Sequence, residues 1–224
     1  MKVAVVGMGL FGKSLARNLA RAGAEVIAID ANLALVDDMK DEVTAAVCVD
    51  ATDEKELRAQ GVHDVDVLVA SIGDDFEANQ LLVILAKKLG IPRVVARAPS
   101  PTHARILKLI GADEVVMPEE EAAHQMALRM LQPSLKGYMA LIEGFSVAEI
   151  VAPPEFLGKS LAELDLKQHH HVNLLAFRRA DPSAPGGAIV NAVPTGGDVL
   201  REGDVLLVIG RDKDIRTLLG TTSE

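Results

Sequence analysis

The chain has 224 residues, 49% of them hydrophobic, enough for one large domain or for a domain of about 140 residues beside a smaller one. A formal net charge of −9, one tyrosine and no tryptophan argue against a nucleic-acid partner, because such partners need basic surface and often stacking rings. The single cysteine, Cys48, excludes an internal disulfide. No apolar run reaches the roughly 18 residues of a membrane helix, and no secretory signal precedes the first strand. We therefore expect a cytoplasmic protein.

The first predicted elements enclose a glycine loop. An apolar strand over residues 3–6 runs into Gly7-Met8-Gly9-Leu10-Phe11-Gly12, a helix follows over residues 11–22, and a second strand over residues 25–29 ends on Asp30. Strand, glycine turn, helix, strand and a terminal acid form the G-x-G-x-x-G arrangement of dinucleotide-binding folds. The alternative is a tight strand-to-helix turn that holds no ligand.

Each glycine of this loop has a separate predicted role. Gly7 allows the tight turn, Gly9 lets a pyrophosphate approach the backbone, and Gly12 lets the helix pack closely on the strand. The free N–H groups at the helix start favour an anion there. Asp30 lies 18 residues after Gly12, at a strand end where its carboxylate can accept hydrogen bonds from ribose hydroxyls.

The same alternation continues down the first half of the chain. Apolar segments alternate with helical ones, and Asp53 and Asp74 stand where each would cap a following helix. The apolar segments lack polar alternation, as burial on both faces of a parallel sheet requires. We therefore predict a doubly wound α/β domain over residues 1–131. Its six strands are expected at residues 3–6, 25–29, 45–49, 65–72, 93–98 and 114–117.

The pattern changes after Pro118. A helix predicted over residues 119–131 is followed by a looser stretch, residues 132–144, which we expect to be a linker. Over residues 145–220 the apolar segments are short and separated by turns rich in proline and glycine, which predicts a second, smaller α+β domain. Its strands are expected at residues 145–151, 173–177, 189–193 and 205–209.

Ligands of a doubly wound sheet bind at the carboxyl ends of the strands, around the first crossover. Residues 50–52 stand where an adenine would lie, and residues 71–73 are small enough to border the ribose and phosphates. Arg97 ends the fifth strand and faces either the phosphates or a surface carboxylate. The candidate nucleotide-contacting residues are Gly7, Met8, Gly9, Leu10, Phe11, Gly12, Asp30, Asp50, Ala51, Thr52, Ser71, Ile72, Gly73 and Arg97.

Groups that could act as acid or base beside a nicotinamide are scarce. Tyr138 is followed four residues later by Ile142, so no Tyr-x-x-x-Lys pair exists, and His63, His103 and His124 stand alone. No Walker-type lysine follows the glycines at the required spacing. A nucleotide fold without catalytic groups indicates a sensor that is not an enzyme, and a small NAD-dependent oxidoreductase is the alternative.

Several motifs together resemble a known family, the cytoplasmic RCK proteins (regulators of potassium conductance) of Trk/Ktr potassium uptake. The resemblance covers nearly the whole chain. It is carried by Val5–Gly12, Val26–Asp30, Val49–Asp53, Ile110–Asp113, Met117–Glu119, Leu157–Leu161 with Leu164, Gly203–Leu206 and Ile209–Gly210.

The resemblance implies a Rossmann-like RCK N-lobe that binds ATP/ADP or NAD/NADH, and a smaller RCK C-lobe that binds cyclic di-AMP in some members. It implies that subunits pair through the region after the sheet, here residues 132–144, and assemble into homo-oligomeric rings, often octamers. The ring sits under a membrane-embedded potassium transporter or channel at the inner face of the membrane. Nucleotide exchange changes the ring's shape and thereby the activity of the pore.

Two positions depart from the family pattern. Members gated by ATP often carry an arginine before the loop's phenylalanine, where this chain has Leu10, which favours NAD(H) or ADP over a triphosphate. The glycine that opens the family's G-D-A-T motif is Val49 here. The resemblance also implies that Glu119 helps to hold a metal cation near the phosphates; otherwise it is an acid favoured by the helix dipole.

Overall fold

The computed structural model describes residues 1–220, apart from the side chain of Arg129. The chain forms two compact units, Met1–Glu121 and Ala122 onward. Among the described residues, no helix combines the length and the apolar character needed to cross a bilayer.

The first unit is a parallel sheet with helices on both faces. Its six strands lie in the order β3-β2-β1-β4-β5-β6, and every neighbouring pair is parallel. The doubly wound fold predicted from the apolar segments is confirmed. The strands are β1 (Lys2–Val6), β2 (Glu25–Asp30), β3 (Ala45–Cys48), β4 (Val67–Ala70), β5 (Arg93–Arg97) and β6 (Glu114–Val116). The helices are α1 (Leu10–Arg21), α2 (Leu33–Asp37), α3 (Glu54–Ala59), α4 (Phe76–Lys88), α5 (Pro101–Leu109) and α6 (Pro118–Leu131), which continues into the second unit.

Strand β1 shows why its sequence is apolar throughout. Ala4 and Val6 belong to a core cluster that includes Leu57 of α3, whereas Val3 and Val5 belong to a second cluster with α1. All four side chains are at most 1% exposed. Side chains alternate across a strand, so a strand covered on both faces has no polar position.

Helix caps follow the prediction at one position and differ at another. The Asp53 carboxylate accepts hydrogen bonds from the backbone N–H groups of Lys55 and Glu56, as expected of a cap. The prediction for Asp74 was wrong by one residue, because Asp75 caps α4 through the N–H of Ala78 at 2.9 Å. Either aspartate can precede the apolar stripe of this helix, so spacing alone did not separate them.

The second unit is built on an antiparallel sheet of five strands in the order β10-β9-β11-β8-β7. Short helices pack beside it, so the predicted α+β class is confirmed. The strands are β7 (Leu135–Ile142), β8 (Phe145–Val151), β9 (Val172–Ala180), β10 (Ala188–Asn191) and β11 (Val205–Arg211). The helices are α7 (Leu161–Leu164), α8 (Leu166–His169) and α9 (Asp212–Leu218).

Residues 132–144 are not the irregular stretch that the sequence suggested. Most of this segment is the edge strand β7, which pairs antiparallel with β8 through a tight connection at Gly144. Its sequence contains Gly137 and exposed apolar side chains, which weaken the alternation expected of a strand. Pairing with β8 supplies the backbone hydrogen bonds that local propensity does not predict.

A buried ion pair lies in the second unit. Asp204 is 0% exposed, and its two carboxylate oxygens accept hydrogen bonds from Nε of Arg179 at 2.8 Å and from Nη2 at 2.6 Å. The N–H of Arg201 donates to the same carboxylate at 2.9 Å. The hydrogen bond from Asp204 raises the pKa of the Arg179 guanidinium. Removing the charge of this buried carboxylate is costly, because the donors that surround it stay in place and lose their charged acceptor.

We predict that Asp204→Asn destabilises the second unit by about 2 kcal/mol. This is less than for a fully buried pair, because Arg179 is 28% exposed and can reach water. Tyr138, the only tyrosine in a chain without tryptophan, lies in this unit, so its fluorescence during urea unfolding measures the change. The exposed Glu202→Gln is the control, and an equal shift in both variants would contradict the prediction.

Candidate functional site

The candidate site is built where the loops after β1 and β4 meet. These strands are adjacent in the sheet, and the chain leaves β1 for one side and β4 for the other. In open α/β sheets this switch point, at the carboxyl ends of the strands, leaves a crevice for ligands. The glycine loop and residues 71–73 follow strands at this edge, and Asp30 is the last residue of β2.

Gly7 is held tightly against the neighbouring loop. It has a positive φ of 96°, and a Cβ built on it would lie 2.8 Å from the backbone N of Ile72. The hydroxyl of Ser71, which is 2% exposed, donates to the carbonyl oxygens of Val6 and Gly7, each at 2.8 Å. Ser71 therefore fastens the glycine loop to β4, a role beyond the ligand-bordering one predicted from its size.

Gly12 and Gly9 differ sharply in their surroundings. A Cβ on Gly12 would lie 1.8 Å from the carbonyl oxygen of Gly7, so α1 packs on its own entry loop only with glycine there. A Cβ on Gly9 would meet no atom within 4 Å, and this residue caps the start of α1 without any side-chain hydrogen bond. The space over Gly9 is open at a helix N-terminus, the arrangement that admits an anion.

Asp30 binds the glycine loop itself. One carboxylate oxygen accepts from the N–H of Met8 at 2.6 Å, and the other accepts from the N–H of Asn32 at 2.8 Å. Met8 is 0% exposed, so the loop is anchored both by packing and by this hydrogen bond. A carboxylate has about four lone-pair positions, so Asp30 keeps acceptor capacity for a ribose.

The segment predicted to lie near an adenine stands beside Asp30. The N–H of Val49 donates to the carbonyl oxygen of Asp30 at 3.2 Å. The Asp50 carboxylate accepts from the hydroxyl of Thr52 at 2.7 Å and from its N–H at 2.8 Å, and these hydrogen bonds lower the pKa of Asp50. Ala51 is 7% exposed. The backbone of this turn is thus fixed by its own side chains.

Arg97 lies across the loop that follows β4. Its Nη1 would be 2.4 Å from a Cβ on Gly73, so this glycine leaves the room that the guanidinium occupies. Its Nη2 donates to Oε1 of Glu119 at 2.5 Å. Glu119 has a lowered pKa, caused first by its own backbone N–H at the start of α6 and then by Arg97. Of the two partners expected for Arg97, the structure shows a carboxylate.

A polar side chain that sequence reasoning missed supports Arg97. Asn79 is 0% exposed, and its Nδ2 donates to the carbonyl oxygen of Arg97 at 3.0 Å. It stands at helical spacing with the buried Leu82, Val83 and Ala86, and a lone polar residue on that apolar stripe was the available signal. Oδ1 of Asn79 and Nε of Arg97 are buried without a protein partner among residues 1–220.

The remaining candidates divide by exposure. Leu10 is 92% exposed at the start of α1, whereas Phe11 is half-buried. Within the described part of the chain, no three His, Cys, Asp or Glu side chains are grouped so that they could hold a metal ion. A cation at Glu119 would therefore need ligand oxygens from a bound molecule, such as phosphates.

Comparison with family models matches both units. The TrkA-N domain model matches residues 3–118, and the TrkA-C domain model matches residues 146–220. The chain belongs to the Trk/Ktr potassium uptake family. The resemblance to this family that the motifs indicated is thereby confirmed.

Curated members of this Trk/Ktr family match over almost their whole length. Ktr system potassium uptake protein C of Bacillus subtilis (strain 168) is 32% identical over 212 residues, which cover 95% of this chain and 93% of that protein. Ktr system potassium uptake protein A of the same organism is 30% identical over 213 residues, which cover 95% and 93%.

A solved structure also resembles the chain. The GsuK channel bound to NAD superposes with a TM-score of 0.54 at 26% identity, over 98% of this chain. The match covers 38% of that channel chain, so it concerns less than half of the channel protein. The shared part is the two-unit architecture described above.

We predict that two alanine substitutions in the glycine loop differ strongly in their effect on stability. Gly12→Ala forces a Cβ into the Gly7 carbonyl oxygen and should destabilise the first unit by about 3 kcal/mol or more. Gly9→Ala, at an ordinary φ of −66° and in open space, should change stability by less than about 0.5 kcal/mol. Thermal unfolding monitored by circular dichroism measures both, and a stable Gly12→Ala protein would refute the close packing of α1 on its entry loop.

Proposed function

We propose that this chain is a cytoplasmic, nucleotide-sensing regulatory subunit of a potassium uptake system, and that it is not an enzyme. The observation that carries the proposal is the open space over Gly9 at the start of α1, with Asp30 anchored beside it, in a chain of the Trk/Ktr family. Anions are favoured at such a helix start.

The proposed ligand is an adenine nucleotide, either ATP/ADP or NAD/NADH. GsuK, described as bound to NAD, shares the architecture and supports a dinucleotide. Leu10 brings no positive charge to the loop, which favours ADP or NAD(H) over ATP. The charge of Asp30 opposes the 2′-phosphate of NADP. The resemblance also allows a second site, for cyclic di-AMP, in the second unit. The binding test below therefore includes this nucleotide.

The proposed partners are a membrane-embedded potassium transporter subunit and further copies of this chain. The end of α6 and the edge strand β7 carry exposed apolar side chains, which supports pairing of subunits through this region, including residues 132–144, and ring assembly. Large exposed apolar patches often mark interaction surfaces. These side chains are Met126, Met130, Leu131, Met139 and Ile142, at 58%, 72%, 78%, 58% and 70% exposure.

A thermal-shift panel of ATP, ADP, NAD, NADH and cyclic di-AMP tests nucleotide binding. A ligand at 100 times its Kd should stabilise the protein by about 2.7 kcal/mol. We predict that Gly9→Ala abolishes the shift for adenine nucleotides, because its Cβ occupies the approach to the loop, without lowering the melting temperature of the free protein. This variant is a cleaner control than Asp30→Ala, which also removes the anchor of Met8. If no nucleotide shifts the native protein, the proposal fails.

Potassium flux tests the regulatory part. Liposomes that contain the cognate transporter subunit and this protein should show potassium flux that depends on the added nucleotide, and Gly9→Ala should remove that dependence. NADH oxidation by the protein with any substrate would instead favour the oxidoreductase. Flux that is identical with and without nucleotide would exclude the gating role.

A further inference from the structure

We propose that Glu119 is a built-in competitor of the nucleotide's phosphates for Arg97, so that ligand binding transfers the arginine from this carboxylate to a phosphate. The inference rests on the proposed nucleotide site and adds a regulatory contact to it. It depends on the position of Arg97, on its unused donor and on the exposure of its present partner.

Arg97 is aimed at the site. Ile72 and Gly73 are consecutive residues of the loop after β4. On one side, a Cβ built on Gly73 would lie 2.4 Å from Nη1 of Arg97. On the other side, the backbone N of Ile72 would lie 2.8 Å from a Cβ built on Gly7. The guanidinium is therefore separated from the glycine loop by one short stretch of backbone. Its side chain is only 21% exposed, so it lies along the protein and not in solvent.

The guanidinium has donors to spare. Of its five N–H groups, one on Nη2 is used by Glu119, while Nε is buried and has no partner within residues 1–220. A buried donor without a partner is costly, so a movement of the guanidinium that brings an anionic oxygen within its reach is favoured. The planar fork of arginine suits the oxygens of a phosphate, which can take two donors at once.

The present partner is easily displaced. The Glu119 side chain is 63% exposed, and an ion pair with one solvated member contributes little. Its lowered pKa keeps the carboxylate charged at neutral pH, so the pair is present in the free protein and is not a pH switch in that range. A phosphate beside the open glycine loop brings more charge than one carboxylate and has helix α1 behind it.

The exchange has a consequence for α6. Glu119 lies in the first turn of this helix, which begins in the first unit and continues beyond Glu121 into the second. When Arg97 binds phosphate, this turn loses its ion pair, and Glu119 becomes available for a cation beside the same phosphates. Occupancy of the nucleotide site is thus registered at the start of the helix that joins the two units.

The test compares Glu119→Gln with Glu120→Gln by calorimetric titration of ADP in EDTA at low ionic strength. Glu120 is exposed in the same helical turn, so its variant loses the same charge without touching Arg97. Removing the competitor should tighten ADP binding about two- to five-fold in Glu119→Gln, the factor expected for an exposed ion pair, and much less in Glu120→Gln. A role for Glu119 as a cation ligand alone predicts no tightening in EDTA.

A double-substitution cycle completes the experiment. Arg97→Gln should weaken ADP binding, and adding Glu119→Gln to it should produce no further change, because the competition requires the arginine. Equal effects of the two glutamate variants, weaker binding in Glu119→Gln, or an undiminished effect in the Arg97→Gln background would each overturn the inference while leaving nucleotide binding intact. Absence of ADP binding, with NAD used as second probe, in the native protein and Glu119→Gln alike would overturn both proposals.

Discussion

The carbonyl oxygen of Gly7 lies where any side chain on Gly12 would have to be, at 1.8 Å from a Cβ, and the rest of the site follows from this contact. The first turn of α1 can rest on its entry loop only because two glycines face each other there. Ser71 then fixes the loop to β4, and Asp30 fixes it to β2. Residues in or just after three neighbouring strands thus hold the start of α1 in place, and the space over Gly9 stays open.

Burial on both faces of a sheet made the first unit readable from its sequence. A continuous apolar segment such as Val3 to Val6, short and bounded by turn residues, is typical of a strand covered on both sides, and the glycine spacing located the crossover. Strand β7 could not be found in the same way, because its apolar residues remain exposed and its backbone partners come from β8. Strand propensity reflects cross-strand neighbours, which local sequence does not contain.

The candidate site was predictable by position and less so by contact. Its residues follow the expected strands, but Asp30 and Ser71 also carry structural hydrogen bonds to the loop, across 22 and 64 positions of the chain. The sequence left two partners open for Arg97, the phosphates or a surface carboxylate. In the structure its partner is the carboxylate of Glu119, also 22 positions away. Asn79 was missed because a single polar residue on an apolar stripe indicates burial without saying which group it serves. Such pairings depend on which strands are neighbours.

The two hydrogen bonds of Asp30 also bear on how a ligand would be sensed. A loop already fastened at Met8 and packed by Gly12 has little conformational freedom left to lose, so binding should cost little entropy in the backbone. Because the same hydrogen bond and the same packing hold the loop in place, we do not expect the loop itself to change much when a ligand binds. A response to the ligand would then have to come from side chains that can exchange one partner for another, as proposed for Arg97.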